Sequence, residues 1–349
     1  MSVSDFEQRR NSILQVIVEA YVSTASPVGS EMISRKLRPA VSSATIRNVM
    51  VELEREGLLE QPHTSAGRVP TDRGYRFYVD AVMETRHLPP EEQRQLVALI
   101  EPEEIDADQL LERASGALAE LSQQAAFVVA PTVKQSTVKQ IELVPLSVRK
   151  ILCVLIANEE MVASHVVEII EPMSRDETTA LARFINTELV GLPFNTLLQS
   201  LERRLLAESD SFYYLVKRSL SILQHALSTE PDERLFVEGA SYLVSQPEFL
   251  KNPRKAHALL KQLESEEPLL RCLRPDLSVA GIHIRIGHEA PLTGFEDCSL
   301  VTAPFAIGDE VAGGVGVLGP TRMDYRSMRA FVEAAAAAVT DVLTRWMGA

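Results

Sequence analysis

Between residues 42 and 50 the chain sets Ser42, Ser43, Thr45, Arg47 and Asn48 among Ile46, Val49 and Met50. At 3.6 residues per turn the apolar members share one side of a helix and the polar members take the other. Such a helix carries what major-groove reading needs, short hydroxyl side chains near the amino end and longer donors beyond them. Arg47 suits donation to a guanine edge and Asn48 suits bridging an adenine edge. Ser42, Ser43 and Thr45 suit phosphate contacts at the helix amino terminus, and Ser42 or Ser43 is equally suited to capping it. Spacing by itself does not divide these residues between base and phosphate contacts. A second polar group follows at His63, Thr64, Ser65, Gly67 and Arg68. There Gly67 permits close backbone approach or a positive φ, and Arg68 has the reach for a phosphate or a narrow minor groove.

Other chemistry-bearing groups lack the spacing their chemistry requires. Gly313, Gly314, Gly316 and Gly319 form a glycine-rich run without the GxGxxG spacing or a lysine-serine/threonine ending, so a turn between packed strands is the simpler expectation. His283, His288 and Glu289 match no familiar metal motif, and Ser299, His283 and Asp297 show no nucleophile elbow. Cys153, Cys272 and Cys298 are odd in number and far apart, against a disulfide framework or a four-cysteine zinc site. The sequence predicts no catalytic, metal or cofactor site.

The elements that must position the polar groups follow from periodicity and breaks. A first helix over 6–21 places Ile13, Leu14, Ile17 and Val18 on one side. Pro27 suits the first turn of a short second helix from about Val28 to Leu37, with Met32, Ile33 and Leu37 as its apolar side. Pro39 breaks the pattern before a third helix reaching about Glu56, with Leu53 completing its inner stripe and Gly57 as its stop. Residues 58–62 and 68–70 read as hairpin strands flanking a polar tip. Thr71 caps a further helix whose Tyr75, Phe77 and Tyr78 read as packing residues. The His87–Pro90 stretch marks a boundary.

Beyond it, 127–131, 141–146, 150–157 and 161–169 have the aliphatic content of buried strands, and 176–189 and 197–227 read as helical. A polar, proline-broken helical stretch spans about 231–270, and β character returns at 281–287, in SLVTAPF and in EVAGGVGVLG. The strands on either side of the helical stretch could form one mixed α/β domain with an insertion. A final helix runs from about Tyr325 to Trp346.

The 349 residues exceed one ordinary core, so the chain reads as multidomain. The net charge of -13 argues against nonspecific coating of nucleic acid. Residues 1–86 are neutral, with 11 Lys or Arg and 11 Asp or Glu, so the amino-terminal module can still present a local basic face. No signal peptide or spanning run is apparent, and the expected location is the cytoplasm, with no membrane partner.

The stretch SPVGSEMISRKL followed by SSATIRNVMVELEREGLLEQPHTSAGRVPTDRGYRFYVD resembles the amino-terminal signature of the heat-inducible transcription repressor family, HrcA. The resemblance continues in FVEGASYLVSQPEF, IHIRIGHEAPLTGFEDCSLVTAPF and GGVGVLGPTRMDYRSM, and so covers essentially the whole chain; Ala240, Ser241, Tyr242 and Val244 stand where the family is often richer in asparagine. It implies an α+β multidomain protein: a winged helix-turn-helix at 1–87, a GAF-like α/β domain at 100–195 plus 275–347, and an inserted dimerising subdomain at about 195–275. It further implies a homodimer that represses chaperone operons through an inverted-repeat operator in double-stranded DNA, with the GroE chaperonin maintaining its activity. Its recognition helix would be about 43–56 and its wing about 60–70. The alternative is a winged-helix regulator that uses the GAF-like domain to sense a small ligand.

Overall fold

The computed structural model describes residues 3–38, 41–63, 66–101, 107–130, 137–157, 161–188, 191–207, 211–228, 234–265, 267–277, 279–290, 294–307 and 310–347. The amino-terminal part consists of α1 (Val3–Thr24), α2 (Ser30–Lys36), α3 (Ser43–Arg55), the short antiparallel strands β1 (Leu59–Glu60) and β2 (Val69–Pro70), and α4 (Asp72–Phe77). A π-helical turn, Tyr78–Val82, continues α4. The expected stripes form its core: Ile13, Leu14, Ile17 and Val18 of α1 and Ile46, Val49, Met50 and Leu53 of α3 are all buried. α2 starts later than expected, because Val28 is taken up by a backbone bridge to Arg68, and Met32 faces solvent while Ile33 and Leu37 are buried. Among the described residues, no helix is long and apolar enough to cross a membrane.

The chain then forms α5 (Pro90–Ile100), α6 (Ala107–Ser122), β3 (Ala125–Ala130), β4 (Val138–Ser147), β5 (Lys150–Ala157) and β6 (Met161–Glu168). After these come α7 (Arg175–Glu188), α8 (Phe194–Ala207), α9 (Ser211–Ser228), β7 (Arg234–Glu238), α10 (Ala240–Val244), α11 (Pro247–Leu250), α12 (Pro253–Glu264) and α13 (Glu267–Leu277). β8 (His283–Ile286), β9 (Cys298–Ile307), β10 (Glu310–Pro320) and α14 (Tyr325–Met347) complete it.

Beyond the β1–β2 hairpin, the described strands form two sheets, a pairing that the aliphatic runs left open. One has the order β7-β3-β10-β9-β8, the other β4-β5-β6. The compact units follow this split: 1–103, 111–128 and 236–341 form one, and 104–110, 129–235 and 342–349 the other. Residues 138–168, expected beside the carboxy-terminal strands, share a core with α7–α9, in which Ile151, Cys153 and Leu155 meet Leu181, Phe194, Leu201 and Leu223. Helices α10–α13, expected in the insertion, fall in the first unit. The aliphatic runs alone could not sort strands between sheets, because β3 and β5 are equally apolar; β7 was hidden in a segment that reads as helical.

In the first unit the glycines of β10 lie within the strand, where a turn was expected. A Cβ on Gly316 would lie 2.5 Å from the Phe127 ring, and one on Gly314 2.0 Å from Leu277. The small residues make room for a β3 aromatic and an α13 leucine over the strand. Tyr325, Met328, Val332, Ala335 and Val339 of α14 recur at helical spacing and are buried.

Candidate nucleic-acid interface

Ser42 sits in extended conformation at the amino terminus of α3, and its hydroxyl accepts from the Thr45 N–H at 3.2 Å. Its oxygen also lies 2.9 Å from Thr45 Oγ1, so cap and first turn hold each other. Both hydroxyls thus have a local structural use, and Ser43 stands half-buried beside them. Arg47 and Asn48 are exposed on the face opposite the buried stripe. Arg47 Nε donates to Ser30 Oγ at 3.2 Å, which ties the guanidinium to the start of α2 without neutralising it.

The hairpin is short and firmly attached. Leu59 pairs with Pro70 and Glu60 with Val69. Val28 and Arg68 exchange backbone hydrogen bonds of 2.9 and 3.0 Å, so the segment before α2 adds to the hairpin edge. Gly67 makes the close approach expected of it, but to its own chain: a Cβ there would lie 2.4 Å from the Val28 carbonyl oxygen. His63 is exposed at the tip and its carbonyl accepts from Ala66 at 2.8 Å. Thr64 and Ser65 lie outside the described residues. Arg68 reaches α3, with Nη2 2.9 Å and Nε 3.1 Å from Glu54 Oε2 and only 15% of its side chain exposed.

A second constellation, which sequence reasoning noted only as motifs, joins this module to the rest of the first unit. Arg76 of α4 donates to both Glu289 oxygens, at 2.9 and 2.5 Å, and to the Ile284 carbonyl. Asp72 accepts from the His288 N–H at 3.2 Å and lies 2.8 Å from its Nδ1, and this hydrogen bond raises the His288 pKa. Arg322 donates to Glu248 at 2.6 Å and to the Val22 carbonyl, and is largely buried. The Tyr75 and Tyr325 rings meet at 5.6 Å. Thus PTDRGYRFY, IRIGHE and GPTRMDY, far apart in sequence, converge on one seam.

Groups considered for catalysis have other occupations. Ser299 Oγ lies 2.7 Å from Tyr325 Oη, His283 Nε2 lies 3.0 Å from the Val279 carbonyl, and Asp297 pairs with Lys255. The three cysteines are free and buried, and burial pushes the Cys153 thiol up to about 12 and the Cys272 thiol to about 11. Thiols held so far from the thiolate form are inert at neutral pH. No metal-holding group of three His, Cys, Asp or Glu occurs among the described residues.

A crystal structure described as that of a hypothetical protein superposes on this chain with a TM-score of 0.63 at 22% identity, covering 97% of this chain and 98% of that one. That likeness defines the class: a multidomain α+β protein with a helical amino-terminal region and mixed α/β sheets. The profile described as "HrcA protein C terminal domain" matches residues 108–328. The heat-inducible transcription repressor HrcA of Symbiobacterium thermophilum is 35% identical over 96% of this chain and 98% of its own length. That of Moorella thermoacetica is 34% identical over 97% and 98%. The chain belongs to the HrcA family, whose members are transcription repressors and not enzymes.

Proposed function

We propose that this chain is a homodimeric repressor of heat-shock (chaperone) operon transcription that binds an inverted-repeat operator. Residues 1–87 act as a winged helix-turn-helix, with α3 as recognition helix and the β1–β2 hairpin as wing. The observation that carries this reading is the amphipathic construction of α3. A capped helix buries Ile46, Val49, Met50 and Leu53 and turns Arg47 and Asn48 to solvent, with a hairpin fastened beside it. Two such helices related by a two-fold axis match the two arms of an inverted repeat, and occupation of the promoter impedes transcription.

The five-stranded sheet with α14 is read as the GAF-like body. The main segment of the second unit, 129–235, is read as the dimerising insertion in place of 195–275. Its support is an uncovered apolar surface. β5 carries inward Ile151, Cys153 and Leu155 and half-buried Leu152, Val154 and Ile156 on its other face. Val144, Leu152 and Val166 lie in one cross-strand row, with Val144 and Val166 exposed. A strand apolar on both faces favours cover on both, and a second copy supplies it.

In this account the GroE chaperonin maintains the DNA-competent form. Unfolded proteins that occupy the chaperonin during heat stress leave less of it for the repressor, and repression falls. Nuclease footprinting on a chaperone-operon promoter tests the reading: two symmetric protected half-sites are expected, and uniform protection without a repeat would contradict it.

A further inference from the structure

We propose that the carboxy-terminal end of α2 and the turn after it, through Arg35, Lys36 and Arg38, form the phosphate clamp of the DNA-binding module, and that Arg68 is not a phosphate contact. The inference deepens the DNA-binding reading above and rests on it.

The charge of the module is polarised along α3. Residues 35–48 contain Arg35, Lys36, Arg38 and Arg47 and no Asp or Glu, whereas 49–60 contain Glu52, Glu54, Glu56 and Glu60 against Arg55. Two cations already offset part of that acidic half. Arg10 pairs with Glu56 at 3.0 Å and Arg68 with Glu54 at 2.9 Å. The wing root therefore presents a neutralised pair, and the duplex would have to break it to use Arg68.

The other end differs. Arg35, Lys36 and Arg38 are exposed, and none makes an ion pair among the described residues, Glu31 a turn earlier included. Arg38 Nη1 donates to the Arg35 and Leu37 carbonyls at 3.0 Å, which holds its stem along the turn and leaves its charge unopposed. Ser34 Oγ bonds the Val41 carbonyl at 2.7 Å, and Arg47 bonds Ser30. These bonds tie Arg38 to the end of α2, and tie α2 to Val41 and to α3. Basic residues in the last turn of α2 also offset its helix dipole. That role needs one charge, not three, and does not extend to Arg38 beyond the helix. A cation row flanking the start of a groove-inserted helix lies where the DNA backbone borders the groove, and unpaired cations there release counterions on binding.

The test is the salt dependence of binding of the full-length protein to a random-sequence 30-base-pair duplex, for wild type, R35Q/K36Q and R68Q. Each lost phosphate contact lowers the slope of log K against log salt by about 0.9. R35Q/K36Q is expected to lower the slope by about 2 per bound module, with only a small fall in thermal midpoint from the lost dipole compensation. R68Q is expected to keep the wild-type slope while lowering the midpoint, because it strands Glu54. A wild-type slope in R35Q/K36Q together with a reduced one in R68Q overturns the clamp while leaving the repressor reading intact. Absence of salt-dependent duplex binding by the wild type overturns both.

Discussion

Arg47 joins a structural bond to the proposed base contact in a single side chain. Its Nε donates to Ser30, and the residue, like Asn48, is exposed. A guanidinium held at one edge is preorganised for a bidentate contact at the other, and such a contact discriminates among bases by about 1–3 kcal/mol. Arg47→Ala should therefore lose that much preference for the operator over scrambled duplex, read as the ratio of the two dissociation constants. Equal losses on both duplexes would remove Arg47 from base reading. His288 carries a second prediction at this scale. Its hydrogen bond to Asp72, reinforced by the nearby charges of Asp72, Glu296 and Asp297, raises its pKa above 6.5. The protonated form is thus favoured in the folded state, and its stabilisation is full below the unfolded value and lost as pH rises through the folded one. The side chain is largely exposed, so the effect is small. The thermal midpoint should fall slightly as pH rises from about 6.5, and H288N should flatten that fall; an unchanged profile in H288N would locate the pH dependence elsewhere.

At the scale of elements, α3 and the hairpin are stabilised by contacts of very different kinds. The Ser42 cap is local, and Ser42→Ala should cost about 0.5–2 kcal/mol. Gly67 is held by a distant segment, because any side chain there meets the Val28 carbonyl, so Gly67→Ala should disrupt the Val28–Arg68 bridge and destabilise the module beyond the cap mutant. Urea denaturation of the two variants checks the order, and a milder G67A would mean that the hairpin yields easily. This contrast explains what could be read from sequence. The stripes of α1 and α3, the Ser42 and Thr71 caps and the hairpin depend on neighbours within a few residues, and each was legible. The Arg68–Glu54 pair was not, since period and propensity say nothing about which exposed charges meet across a groove between elements. That Arg35, Lys36 and Arg38 carry no ion pair among the described residues was not legible either, for the same reason.

Across the whole molecule the limiting step was strand sorting. β3 and β4 are consecutive apolar strands, yet they belong to different sheets, and only β7 and β10 reveal the partners of β3. Long-range pairing is decided by complementarity between distant surfaces, which a local pattern does not encode. The seam of Asp72, Arg76, His288, Glu289 and Arg322 was equally hidden, although every one of its residues lay in a motif noted for its distinctiveness. The two-sided apolar character of β5, by contrast, was visible as an unbroken aliphatic run, and its meaning follows once one face proves to be covered by α7–α9. Val166→Asp, at an exposed site on the other face, should shift the protein toward monomer in sedimentation equilibrium with its fold retained. A V166D protein that remained fully dimeric would place self-association on another surface.

The central claim is that this chain is a sequence-specific repressor whose activity the chaperonin sustains. Its most direct test is equilibrium binding of the purified full-length protein to an inverted-repeat duplex from a chaperone-operon promoter and to a scrambled duplex, with and without GroE. The account predicts a strong preference for the inverted repeat and a rise in the DNA-competent fraction when the chaperonin is added. Equal affinity for the two duplexes, by a protein shown to be folded and dimeric, would contradict it.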